Sequence, residues 1–190
     1  MADLTGRHPG LLRRGEVGLI VVDVQEAFRP VIGGFDEVVR NCRILTEGFG
    51  ILGAPVLVSE QYPKGLGHTV AEVAEVLPAG SPLVEKLRFS AIGVEEFDEA
   101  LAATGLRRWV VCGIEVHVCV NQTVNDLLAH GHEVHLAVDA VSSRTAANRE
   151  AGIDKCVAAG AVRSSTETAL FELLEVAGTP EFKAISKLVR

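Results

Sequence analysis

Aromatic residues are scarce in this chain of 190 residues: they make up 5%, with one Trp and one Tyr. An aromatic-rich β-sandwich is therefore a poor fit. The apolar 48% rests on Val, Leu, Ala and Ile, the aliphatic residues of buried parallel strands. Basic charge is also short, with 18 Lys and Arg against 25 Asp and Glu, a net charge of −7, which argues against nucleic acid as a partner. No apolar run approaches the roughly 18–20 residues that cross a bilayer, and residues 1–15 are polar without a signal-peptide core. The expectation is a cytoplasmic protein with no membrane partner. The four cysteines, Cys42, Cys112, Cys119 and Cys156, form no CxxC pair, so a disulfide framework is not expected. Length and a mean hydropathy of +0.28 fit one domain with a substantial core.

What is present is an alternation of apolar strands and amphipathic helices. Val17 to Val24 (VGLIVVDV), Pro55 to Ser59, Leu83 to Leu87, Arg107 to Ile114, Glu133 to Val138 and Ala161 to Ser165 read as strands. Helical periods run from Phe35 to Leu52, from about Val94 to Ala103, from Cys119 to His130, from about Asn148 to Ala159 and from Thr166 to Val176. Six βα units imply an α/β fold. A loose N-terminal arm is expected over residues 1–15, one domain over 16–179, and a C-terminal tail over 180–190 that packs on a neighbour.

In an open parallel sheet, ligands bind outside the carboxyl ends of the strands. Asp23 ends the first strand, Lys86 ends the third, and Cys119 begins the helix after the fourth. A carboxylate and an ammonium in apolar strands are costly unless paired, although a solvated strand end explains either one alone. A cysteine at a helix N-terminus meets unpaired N–H groups and the positive dipole end, so Cys119 is expected to have a lowered pKa. Cys112 in mid-strand, and Cys42 and Cys156 on helix faces, read as small buried hydrophobes.

The strings LIVVDVQEAF, VEKLRFSA and VVCGIEVHVCVNQTVNDLL, followed by VDAVSSR, closely resemble the isochorismatase-like cysteine hydrolases over about Val17 to Leu174. DVQEAFRPVI, SEQYPKGLG and GIEVHVCVNQT look most like the isochorismatase-domain-containing subgroup. The resemblance implies a three-layer α-β-α sandwich with a six-stranded, mainly parallel sheet. It also implies a catalytic Asp23, a catalytic Lys86 and a nucleophilic Cys119. A cis peptide is implied between Ile114 and Glu115, with the turn from Glu115 through Val118 to Cys119 aiming backbone N–H groups at an oxyanion. A homo-oligomer is implied too, with a neighbour often closing the site. Phe28, Tyr62, Phe89 and Val116 are candidate pocket residues from their closeness to the motifs. Gln25, Gln61 and Gln122 either bond a substrate carbonyl or are structural, and a structural role is favoured for the first two.

Other signals fail on context. Gly48, Gly50 and Gly53 spell GxGxxG but end a helix and precede a strand, the reverse of a dinucleotide site. His130, His132 and His135 straddle a helix end, a turn and a strand, and read as solvated histidines rather than a metal cluster. Asn121-Gln122-Thr123 is a sequon on a helix. The Asp and His metal set that nicotinamidases of the family carry after their second strand is missing from EQYPKGLGHTV, so no cofactor and no metal are expected. The expected activity is hydrolysis of a small amide or related acyl substrate through a Cys119 thioester. The alternatives are vinyl ether hydrolysis of the isochorismatase type and a catalytically idle interaction domain.

Overall fold

The apolar run after Val17 extends as β1 (Val17–Val22), buried at every position because helices cover both faces of the sheet. Leu19 and Val21 enter one apolar cluster, and Ile20 and Val22 enter the other, as the two-residue period of a strand dictates. The computed structural model describes residues 6–190. After β1 come α1 (Phe35–Ile51), β2 (Val56–Gln61), two short helices α2 (Pro63–Leu66) and α3 (Ala71–Ala74), β3 (Leu83–Lys86), α4 (Glu95–Ala103) and β4 (Arg108–Ile114). A π-helical turn, Val116–Val120, leads into α5 (Asn121–Ala129). Then follow β5 (Glu133–Ser142), α6 (Ala146–Ala158), β6 (Val162–Ser164), α7 (Thr166–Leu174) and α8 (Pro180–Leu188).

The six strands form one sheet in the order β3-β2-β1-β4-β5-β6, and every pairing is parallel. The architecture is the three-layer sandwich, with the sheet wholly rather than mainly parallel. Residues of α1, α7 and α8 pack on one face, and residues of α4, α5 and α6 on the other. The chain builds outward from β1 to β3, then crosses back to lay β4 beside β1. That reversal opens a crevice at the carboxyl ends of β1 and β4, the place where such sheets bind ligands.

Several boundaries differ from the sequence pattern for identifiable reasons. β1 stops at Val22, not Val24, because Asp23 takes a left-handed conformation with φ 51°, which Asp tolerates better than most residues. β5 continues four residues past Val138. The intervening Asp139 looks like a strand end but is satisfied inside the fold, where its Oδ1 accepts the Thr166 N–H at 2.8 Å and its carbonyl accepts from Asn41 at 2.7 Å. The cap of α7 is Ser165, whose side chain accepts from the Thr168 N–H.

Both expected ends are anchored. Residues 1–5 of the expected arm lie outside the described residues. Beyond them Leu12 is fully buried, its N–H donates to Glu172 at 3.0 Å, and Arg7 pairs with Glu175 at 2.9 Å. The expected tail is a helix capped by Thr179, whose hydroxyl accepts the Phe182 N–H at 3.0 Å. Its Ile185 is buried in the core of its own chain. Among the described residues no helix is long and apolar enough to cross a membrane.

Two glycines set the close approaches around the crevice. Gly113, with φ +117°, lies so near β1 that a Cβ would collide with the Val22 carbonyl oxygen, and here β4 shifts its register against β5. Gly152 on α6 lies against the turn after β4, where a Cβ would meet the His117 nitrogen at 2.7 Å. Since both obstacles are backbone, Gly113→Ala and Gly152→Ala are each expected to cost about 1–3 kcal/mol or more in urea unfolding. Unchanged midpoints would show that these approaches are not tight.

Candidate active site

Asp23 is carried past the end of β1 by its left-handed backbone, and its N–H donates to the Ser59 carbonyl of β2 at 3.0 Å. Its side chain is fully buried. Oδ1 accepts from the Ser59 hydroxyl at 2.7 Å, and Oδ2 accepts from the Lys86 ammonium at 2.7 Å. Lys86, 4% exposed, ends β3 and reaches inward. It also donates to the Gln61 side chain at 2.8 Å, the Phe89 carbonyl at 2.9 Å and the Arg88 carbonyl at 3.2 Å. Burial pushes the Asp23 carboxyl above its ordinary range. The Lys86 charge, followed by the hydrogen bonds of Lys86 and Ser59, pulls the other way without cancelling it.

The charges of Asp23 and Lys86 both bear on the Cys119 thiol. Its position differs from the sequence expectation, because it sits inside the π-helical turn and α5 starts two residues later, at Asn121. No lowered pKa results. Burial, then the Asp23 carboxylate, push the Cys119 thiol well above its ordinary value, and Lys86 only partly offsets them. The resting side chain is a neutral thiol. All four cysteines are free thiols; the other three have no exposed surface, while Cys119 retains 5%.

The Ile114–Glu115 peptide bond is cis. Ile114 itself is fully buried at the end of β4. In the turn that follows, the N–H groups of Val118 and Val120 donate to the Glu115 carbonyl at 3.0 and 3.2 Å. Val118 is thus not a free oxyanion donor, contrary to expectation. The Glu115 side chain is nearly buried and turns away to bind Arg144, accepting from its backbone N–H at 2.9 Å and its guanidinium at 2.6 Å. That pairing holds the Glu115 carboxyl below its ordinary range despite burial.

The expected pocket residues separate. Tyr62 and Phe89 are half exposed, and Tyr62 lines a groove of about 320 Å3 together with Lys64, Glu85 and Lys86. Val116 is fully buried in the core on the α4–α5–α6 face, and Phe28 packs against the opposite cluster. Val116 therefore offers no open surface to a pocket in the single chain, whereas Phe28 keeps part of its surface exposed.

Three consecutive residues of β2 carry functions that sequence reasoning missed or undervalued. Ser59 orients Asp23 and Gln61 orients Lys86. Buried Glu60 holds the following loop by accepting from the Thr69 N–H at 2.5 Å and its hydroxyl at 2.7 Å, with His68 at 2.9 Å from its other oxygen. Gln25 and Gln61 are structurally tied: the Gln61 N–H donates to Gln25 at 2.7 Å, and Gln25 donates back to the Gln61 carbonyl at 3.0 Å. The available signal was the polar run SEQ at the end of an apolar strand, buried at every position. Among the described residues no three His, Cys, Asp or Glu converge as a metal-binding set.

Comparison with known proteins gives the same outline. The family model for the isochorismatase domain matches residues 17–168. Isochorismatase domain-containing protein 1 of Salmo salar is 40% identical over 169 residues, 88% of this chain but 59% of its own length, so the chain spans well under two thirds of that relative. Isochorismatase domain-containing protein 2 of Danio rerio is 40% identical over 94% of this chain and 89% of its own. The solved structure of the MAR1 ribonuclease from Caenorhabditis elegans superposes with a TM-score of 0.90 at 37% identity, covering 95% of this chain and 92% of that one. With a family model spanning all six strands and relatives at this identity, the chain belongs to the isochorismatase domain family.

Proposed function

We propose that the protein is a cysteine hydrolase of small amides or related acyl compounds, working through a Cys119 thioester. The observation that carries this reading is the buried Asp23–Lys86 pair acting on a cysteine thiol at the crevice where the strand order reverses. Asp23 takes the Sγ proton as the thiolate attacks the acyl carbon, and the resulting oxyanion is met by the Cys119 backbone N–H. The C–N bond then breaks, with the Asp23 proton passing to the leaving amine. Asp23 next deprotonates a water that hydrolyses the thioester, and the proton returns to the thiol with release of the acid. Lys86 keeps Asp23 oriented and adds positive charge beside the developing anion. The raised basicity of buried Asp23 suits it to take a proton from a thiol that is itself hard to ionise.

The 5% exposure of Cys119 supports a small substrate. Half-exposed Leu83, Tyr62 and Phe89 and strongly exposed Leu87 lie around the edge strand β3 and support a homo-oligomer that covers them. Four free thiols suit a reducing, cytoplasmic setting, although the relative from Phytophthora sojae, 40% identical over 90% of this chain and 83% of its own, is named a secreted effector. The name of the C. elegans relative raises ribonuclease activity as a second reading. A net charge of −7 argues against a polyanionic substrate.

Two outcomes are expected. Cys119→Ala abolishes turnover in a screen of small amides while leaving the circular dichroism spectrum unchanged, and acid-quenched wild type carries the acyl mass on the peptide containing Cys119. Turnover by Cys119→Ala, or release of labelled fragments from RNA instead, would overturn the proposal. Alkylation of Cys119 by iodoacetamide rises with pH without a plateau up to about pH 9, as for a thiol of raised pKa. In Asp23→Asn, where Lys86 is the charge that remains, the profile moves to lower pH. A plateau below pH 7 in wild type would mean a preformed thiolate and contradict the proton transfer to Asp23.

A further inference from the structure

At the amino end of the sheet, on the face carrying α4 and α5, these two helices leave a groove of about 420 Å3, within the size range of small-molecule sites. It is remote from Cys119. The seven residues of β4 place about 20 Å of strand between its mouth and the crevice. Its floor is hydrocarbon, formed by Ile92, Leu101 and Leu127, all buried, and by Leu106.

The polar groups at its rim are unevenly satisfied. Arg108 closes on Glu133 at 2.6 Å, whereas the adjacent Arg107, which lines the groove, is in no ion pair among the described residues. His130 directs its Nδ1 to the Asp126 carbonyl at 2.7 Å. His132 also lines the groove, with its Nδ1 closed off from solvent and from anything bound there. Burial, then the Arg107 charge, hold His132 below its ordinary range, although a hydrogen bond to the Arg107 backbone opposes them. Asp98 on α4 is the one carboxylate lining the groove, and it accepts the Gly93 N–H at 3.1 Å with either oxygen. Its charge disfavours a second anionic group on whatever binds.

We infer that this groove is a second small-molecule site, for a monocarboxylate with a compact apolar body. The carboxylate pairs with the Arg107 guanidinium, and the hydrocarbon covers Leu101 and Leu127. A free guanidinium supplies the charge and fork geometry that a carboxylate needs. The apolar floor supplies affinity that a bare surface arginine lacks. The site is independent of the proposed hydrolase chemistry and stands or falls separately from it.

The test uses the full chain with benzoate and 4-methylpentanoate as probes, followed by calorimetry and by amide chemical shifts. At least one probe is expected to bind, with shifts centred on Leu127 and His132, and benzamide is expected to bind at least about tenfold more weakly than benzoate. Arg107→Met is expected to weaken carboxylate binding about tenfold or more. Ala102→Phe, at an exposed position of the groove wall, is expected to block it without unfolding. Both variants are checked for wild-type thermal midpoints. Binding of neither acid up to about 10 mM, shifts centred on Cys119, or equal affinity in wild type and Arg107→Met would overturn the inference.

Discussion

A carboxylate and an ammonium, both nearly without solvent, sit 2.7 Å apart at the carboxyl edge of the sheet, and the local structure is arranged to keep them there. Neither charge is tolerable alone in that position, since the effective penalty for burying an ion is several kcal/mol. Each is supplied with partners from different elements. Ser59 of β2 binds Asp23, and Gln61, two residues along the same strand, binds Lys86. The carbonyls of residues 88 and 89 complete the lysine's shell. The pair joins the end of β1 to the end of β3 across β2, so the three strands must finish in register for it to form.

The sheet topology supplies the third group. Because the chain returns to place β4 beside β1, the turn after β4 falls next to Asp23, and Cys119 enters the field of the pair. Gly113 allows the close approach of β4 to β1, and Gly152 allows α6 to press on the turn itself. The electrostatic result is the reverse of what a helix N-terminus alone suggests. The thiol is harder to ionise at rest because the nearest strong influence after burial is a carboxylate. In the proposed hydrolysis, the thiol stays protonated until an acyl group arrives, with the base already in place.

Much of this was legible in the sequence, for physical reasons. Strands buried on both faces read as continuous aliphatic runs, so β1 and β4 stood out, and charged residues at the ends of such runs marked Asp23 and Lys86. A cysteine at the expected start of the helix after β4 marked Cys119, and the family resemblance added its nucleophilic role and the cis Ile114–Glu115 bond. What could not be read depended on distant partners. Asp139 looked like a strand end until Thr166 was placed beside it. Leu12 and Ile185 looked like parts of loose termini because their packing partners lie far along the chain. The expected second strand ended at Ser59, yet Glu60 and Gln61 extend it, and all three are buried and hydrogen-bonded. Val116 seemed near enough to the motifs to line a pocket, but the turn directs it into the core.

The account rests on the Asp23–Lys86 pair, and a double-mutant cycle measures it directly. Unfolding free energies of wild type, Asp23→Asn, Lys86→Met and the double variant would be taken from urea titrations at pH 7. If the pair is the constraint described, Lys86→Met costs about 3 kcal/mol or more, as removal of one partner of a buried pair does. The double variant then loses clearly less than the sum of the two single losses. Single losses that add to within about 0.5 kcal/mol would show that the two charges are held independently, and would contradict the account.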